Sequence, residues 1–147
     1  MITGMSFLCF DIYCQGIGCG SVLYKKFALT KDFEKSDQPF KNEIKYLKNS
    51  SLDFSDDSTN FRVAYLNYHG AKINDMSPME LINSAIEINP NVPEYYFLKA
   101  VMVYNSGITS KNEMKKACPH FNKALELGIN QEIKGLSCFQ TLFDLCK

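Results

Sequence analysis

Residues 85–107 read AIEINPNVPEYYFLKAVMVYNSG, and residues 116–128 read KACPHFNKALELG. Both stretches set alanines and large apolar side chains three and four residues apart, the spacing that gathers them on one face of a helix. Asn89-Pro90 stops the helix that runs through Ala85 and Ile86, because proline has no N–H to donate and pushes the residue before it out of helical geometry. Gly107 and Gly128 stand at the turns after the two later segments. The region reads as helices packed on one another and joined by short connections.

The same reading extends outward. Leu81, Ile82, Ala85 and Ile86 lie on a helix that begins at Ser77-Pro78-Met79-Glu80, with Ser as cap, Pro at the first helical position and Glu placed to close a capping box. Phe61, Ala64, Tyr65 and Tyr68 form a helical face ended by Gly70. Residues 49–60, NSSLDFSDDSTN, are rich in side chains that bond their own backbone in turns and caps, and mark a boundary near residue 57 between an N-terminal extension and the helical region. Residues 38–48 form a short amphipathic helix with Pro39 at its start and Phe40, Ile44 and Leu47 on one face. Residues 21–36 have no clean period, so helix and strand stay open there.

From Ser77 to Cys146 the chain resembles the tetratricopeptide repeat, a helix-turn-helix unit of roughly 34 residues that stacks into solenoids. The likeness lies in spacing: Ala85 followed five positions later by Pro90, Tyr96 and Ala100 at the large and small positions of the next helix, Gly107 at the turn, then Ala117, Phe121 and Ala124. Residues 108–112 lengthen the inter-helix loop, Lys99 stands where that family usually has Leu, and Pro119 falls inside the second helix. Pro119 predicts a kink, or a helix that starts at Cys118. Residues 130–146, with Ile133, Leu136, Phe139, Leu142 and Phe143 at helical spacing, suit a capping helix over the last apolar face. The expected fold is all-α, a short helical-repeat array covering 58–147. A generic helical bundle meets the same spacings.

The resemblance implies a protein or peptide partner held on the first helix of a pair, where Glu94, Phe97, Val101, Tyr104 and Asn105 would be exposed. Phe97 and Val101 stand where carboxylate-gripping members carry Lys and Asn, so an apolar extended or helical ligand is favoured. The competing expectation is that Phe97 and Val101 are buried under the N-terminal extension and the groove closed.

Near the start, residues 5–13 (MSFLCFDIY) lead into Gly16, Gly18 and Gly20, as a secretory signal would, but no basic residue precedes them and Asp11 interrupts. A signal over residues 1–20 and an ordinary buried segment are both open, and with them an exported or a cytoplasmic location. Cys19 occupies a lipobox-like place with Gly16 where Leu is usual. Cys9, Cys14 and Cys19 are spaced C-x4-C-x4-C, which with His69 tempts a zinc reading, yet structural zinc sites use tighter cysteine pairs. No metal and no cofactor are expected.

The 147 residues carry 16 Lys plus Arg against 16 Asp plus Glu, with 46% apolar residues, so a core is within reach and no net field draws the chain to nucleic acid. Lysines from Lys25 to Lys48 are interspersed with Asp32, Glu34, Asp37 and Glu43 and read as a solvated face. No apolar run approaches the roughly 18–20 residues needed to span a bilayer. Cys138 and Cys146 are too far apart on one helix to bond. If the helices flanking Gly128 run antiparallel, Cys118 and Cys138 sit at similar heights, and they are the expected disulfide in an exported protein. His69 and His120 have no catalytic motif around them, and Cys118 and His120, two apart on a helix, face different ways. The sequence therefore points away from catalysis, towards a protein-binding scaffold or a small exported structural protein without a groove.

Overall fold

The four helices between Pro39 and Ser106 start where the sequence supplies a proline or a capping oxygen. In the computed structural model, which describes residues 22–147, α1 is Pro39–Lys48, α2 is Asp57–Tyr68, α3 is Pro78–Ile88 and α4 is Pro93–Ser106. Three of these open on proline, whose missing N–H costs nothing in a first turn. α2 opens under Asp56, whose carboxylate accepts from Thr59 N at 2.8 Å, and α3 under Ser77, whose hydroxyl accepts from Glu80 N. Beyond them come α5 (Lys111–Met114), a 3₁₀ turn (Lys115–Ala117), α6 (Cys118–Glu126), α7 (Gln131–Lys134) and α8 (Ser137–Cys146). Pro119 lies in the first turn of α6, so it starts that helix instead of kinking it. The described residues contain no strand; the fold is all-α. The proposed signal segment, Cys19 and the Cys9–Cys14–Cys19 triplet lie outside the described residues.

The chain separates into two compact units, Tyr24–Asn91 and one containing Val92–Lys147. Residues 49–60, read as a domain boundary, connect α1 to α2 within the first. There α2 and α3 pack antiparallel: Asn89, just past α3, donates to Asp57 at the start of α2. At the opposite end Asn67 gathers the connecting loop, donating to Asn74 Oδ1 at 2.8 Å and to Met76 O while accepting from Ile73 N at 2.7 Å. Those side-chain bonds replace the backbone ladder that the loop lacks.

Residues 25–36, left open by the sequence, form two 3₁₀ turns, Lys25–Phe27 and Phe33–Lys35. One buried carboxylate holds them. Glu43, in the middle of α1 and fully shielded from solvent, accepts from Tyr24 Oη at 2.8 Å, Leu29 N at 2.9 Å, Thr30 N at 3.1 Å and Thr30 Oγ1 at 2.9 Å. Four donors satisfy the lone pairs of a charged group that burial would otherwise make costly. Around it the rings of Tyr24, Phe33, Phe40 and Tyr65 lie 5.2–5.7 Å apart, and Phe27 and Phe61 at 4.4 Å. Arg62 on α2 donates to Phe27 O, which ties this segment to α2 as well.

In the second unit, α4 packs on α6 and on the 3₁₀ turn before it, and α8 on α6. Gly107 ends α4 with an ordinary φ of −102°, so left-handed backbone is not its purpose. A Cβ there would lie 2.7 Å from the Glu113 carbonyl carbon; glycine lets α5 come back against the end of α4. By contrast Gly70 and Gly128 do adopt left-handed φ, +91° and +84°.

Burial, the Glu43 charge and the bond to Glu43 all raise the Tyr24 phenol above its ordinary value of 10.0. The folded chain keeps this proton where the unfolded chain gives it up, so stability falls as pH rises past about 10. Absorbance at 295 nm should show one phenol ionising only as the fold is lost. Tyr24→Phe should remove that component and, at neutral pH, lower unfolding free energy in urea by about 1.5–3 kcal/mol, the loss of a bond to a charged group. Gly107→Ala should destabilise by about 1–3 kcal/mol, read in the same titration, because the neighbour in the way is backbone.

Candidate functional site

The face of α4 expected to bind a partner is a packing face. Phe97 is 1% exposed, Glu94 3% and Val101 8%, while Tyr104 and Asn105 are half-buried. The reason is visible in the rings: the Phe97 centroid is 6.4 Å from Phe121 on α6 and 6.3 Å from Phe139 on α8, and those two are 5.1 Å from each other. Tyr96 and Lys99, given to inter-helix packing by the repeat-like register, are the half-buried ones, and Ala100 is fully buried. Of the five expected contact residues, Phe97 and Val101, which would have formed an open apolar floor, lie in the core, and Glu94 is buried as well. Spacing alone could not separate these faces, since α4 carries apolar residues nearly all round.

A disulfide holds the third edge of this ring cluster. Cys118, at the start of α6, is bonded to Cys146, at the end of α8, with Cα atoms 5.4 Å apart. The expected partner was Cys138. That expectation assumed a return helix beginning straight after Gly128; instead Asn130 caps the four-residue α7, Gly135 and Leu136 interrupt, and α8 starts only at Ser137. The delay shifts the register by about two helical turns, so the far end of α8, not its start, comes level with Cys118. The bridge also shows that α6 and α8 run antiparallel. Cys138 is itself disulfide-bonded.

Little here is arranged for acid–base or nucleophilic work. Cys118 holds no thiol, which removes the one cysteine near a histidine in sequence. Burial and the Lys99 charge hold the half-buried His120 on α6 below the ordinary imidazole value, and burial lowers Lys99 in turn. His69 belongs to the other unit, where its ring lies tilted against Tyr65 and edge-on to Tyr68. No group of three or more His, Cys, Asp or Glu among the described residues is placed to hold a metal ion, and none of the described helices is long and apolar enough to cross a membrane.

The sequence missed a concavity in the first unit, about 410 Å3, lined by Thr30, Asn42, Lys45, Tyr46, Asn49 and Ser50. It lies along the polar side of α1, the face read as solvated lysines. Thr30 reaches it only because Glu43 draws residues 29–30 onto the helix. Tyr46 is 48% exposed in a unit that buries Tyr24, Phe27, Phe33, Phe61 and Tyr65.

No protein-family model matches the chain, and neither a curated protein nor a solved structure does.

Digestion without reduction should recover Cys118 linked to Cys146. Trypsin alone leaves Cys138 and Cys146 together on residues 135–147, so a chymotryptic cut after Phe139 or Phe143 is needed to tell them apart; a Cys118–Cys138 peptide would refute the pairing. Replacing Cys118 and Cys146 together by Ser should cost about 3.5 kcal/mol in urea unfolding, the chain-entropy value for a loop of this length.

Proposed function

We propose that this protein is a non-catalytic, disulfide-stabilised helical protein of an oxidising compartment, with a structural or scaffolding role and no peptide groove along α4. One observation carries the reading: the Cys118–Cys146 bridge fastens α8, and Phe139 of α8 covers Phe97, the residue at the centre of the face a groove would need. Disulfides persist where thiols are oxidised and are rare where glutathione keeps them reduced. A covered aromatic floor leaves partners the outer surfaces of the helices. The antiparallel pairing of α2 with α3 and of α6 with α8, together with the tetratricopeptide-like spacing of residues 77–146, supports contact with other proteins over chemistry on a small substrate.

Intact mass of the protein from its native host, alkylated before any reduction, tests this. The expected result is Cys118 and Cys146 unalkylated and a mass two hydrogens lower for each bridge, with loss of roughly 15–20 N-terminal residues if a signal is cleaved. Full alkylation of both cysteines before reduction would sink the reading and leave an adaptor of a reducing compartment.

A further inference from the structure

The concavity on α1 has a chemistry of its own. Two of its three hydroxyl protons are committed internally: Thr30 Oγ1 donates to Glu43 at 2.9 Å and Ser50 Oγ to Tyr46 O at 2.7 Å. Each amide nitrogen is also tied, Asn42 Nδ2 to Ser36 Oγ at 2.9 Å and Asn49 Nδ2 to Lys45 O at 3.0 Å. These bonds hold both amide planes and leave one N–H and the carbonyl oxygen of each amide, together with the Thr30 and Ser50 oxygens and the Tyr46 hydroxyl, able to pair with a ligand that both donates and accepts. Such a wall suits a molecule with several hydroxyl groups.

Two further features narrow the class. The exposed Tyr46 ring and the aliphatic stem of Lys45 offer an apolar surface for the C–H face of a ring-shaped ligand. Lys45 has no ion pair among the described residues, and Lys41 and Lys48 stand four before and three after it on the same exposed side of the helix. The cation calls for acid groups on an otherwise hydroxylated ligand. The depression is open, with Asn42, Lys45, Tyr46 and Asn49 all exposed, so a ligand would lie against it by one face.

We propose that this cleft binds a saccharide bearing a carboxylate, with Tyr46 stacking under a sugar ring, the Asn42 and Asn49 amide oxygens accepting from its hydroxyls, and Lys45 meeting the acid. The proposal does not depend on the compartment or on the disulfides.

Tetragalacturonate is the probe, titrated into the full-length, oxidised protein labelled with nitrogen-15, with maltotetraose and tetra-aspartate as comparators. The expected result is saturable amide shifts confined to Thr30 and residues 42–50, with tetragalacturonate the tightest of the three. Tyr46→Ala, an exposed position whose fold is checked by circular dichroism, should weaken binding about three- to tenfold, the worth of an aromatic contact beyond its buried area. Lys45→Met, which keeps the stem, should weaken it about twofold to fivefold and flatten its salt dependence. No shift at millimolar probe, or unchanged affinity in Tyr46→Ala, overturns the proposal. So does tetra-aspartate or maltotetraose binding as tightly as tetragalacturonate.

Discussion

A carboxylate removed from water in the middle of α1 has to be met by donors, and in this chain most of those donors come from a segment with no regular structure of its own. Glu43 therefore does for residues 24–30 what a backbone ladder does for a helix: it gives Tyr24, Leu29 and Thr30 fixed partners and sets the chain path around them. The aromatic cluster follows from that placement. Tyr24 is held by its hydroxyl, which presents its ring to Phe33, Phe40 and Tyr65, and Phe27 then meets Phe61 on α2. The polar concavity follows as well, because Thr30 is one of its walls. A neutral apolar residue at 43 would fill the space and lose the path.

The second unit is organised by the opposite means. Its centre is three phenylalanine rings from α4, α6 and α8, and the constraint on it is covalent, a bridge between the start of one helix and the end of its antiparallel neighbour. Non-directional packing tolerates sliding; a crosslink does not. Together the two decide that Phe97 is interior.

Helix existence and many helix ends were legible in the sequence for local reasons. Pro39, Pro78, Ser77 and Pro119 act on their own turns, so reading α1, α3 and the start of α6 needed nothing beyond their neighbours. What was not legible depends on partners far along the chain. Glu43 falls three residues after Phe40 and four before Leu47, on the apolar side of α1, and that position was the available sign of burial; its charge among lysines hid it. On α4 the apolar residues are too many for spacing to choose a face, and the choice was made by α6 and α8. The pairing of Cys118 turned on a short break at Gly135–Leu136, whose effect on register is large although its sequence signal is small. Nothing in the spacing of Asn42, Tyr46 and Asn49 announces a cleft without Thr30 beside them.

The bond from Tyr24 to Glu43 has an optical consequence. The chain contains no tryptophan, so its eight tyrosines supply all of its near-ultraviolet emission. A carboxylate that accepts a phenol's hydrogen bond quenches its emission, since the excited phenol is a stronger acid, and the Tyr24–Glu43 bond should therefore dim Tyr24 in the folded protein. Opening of the 24–30 segment releases it, and a rise in tyrosine emission becomes a label-free clock for the one local event on which the first unit depends.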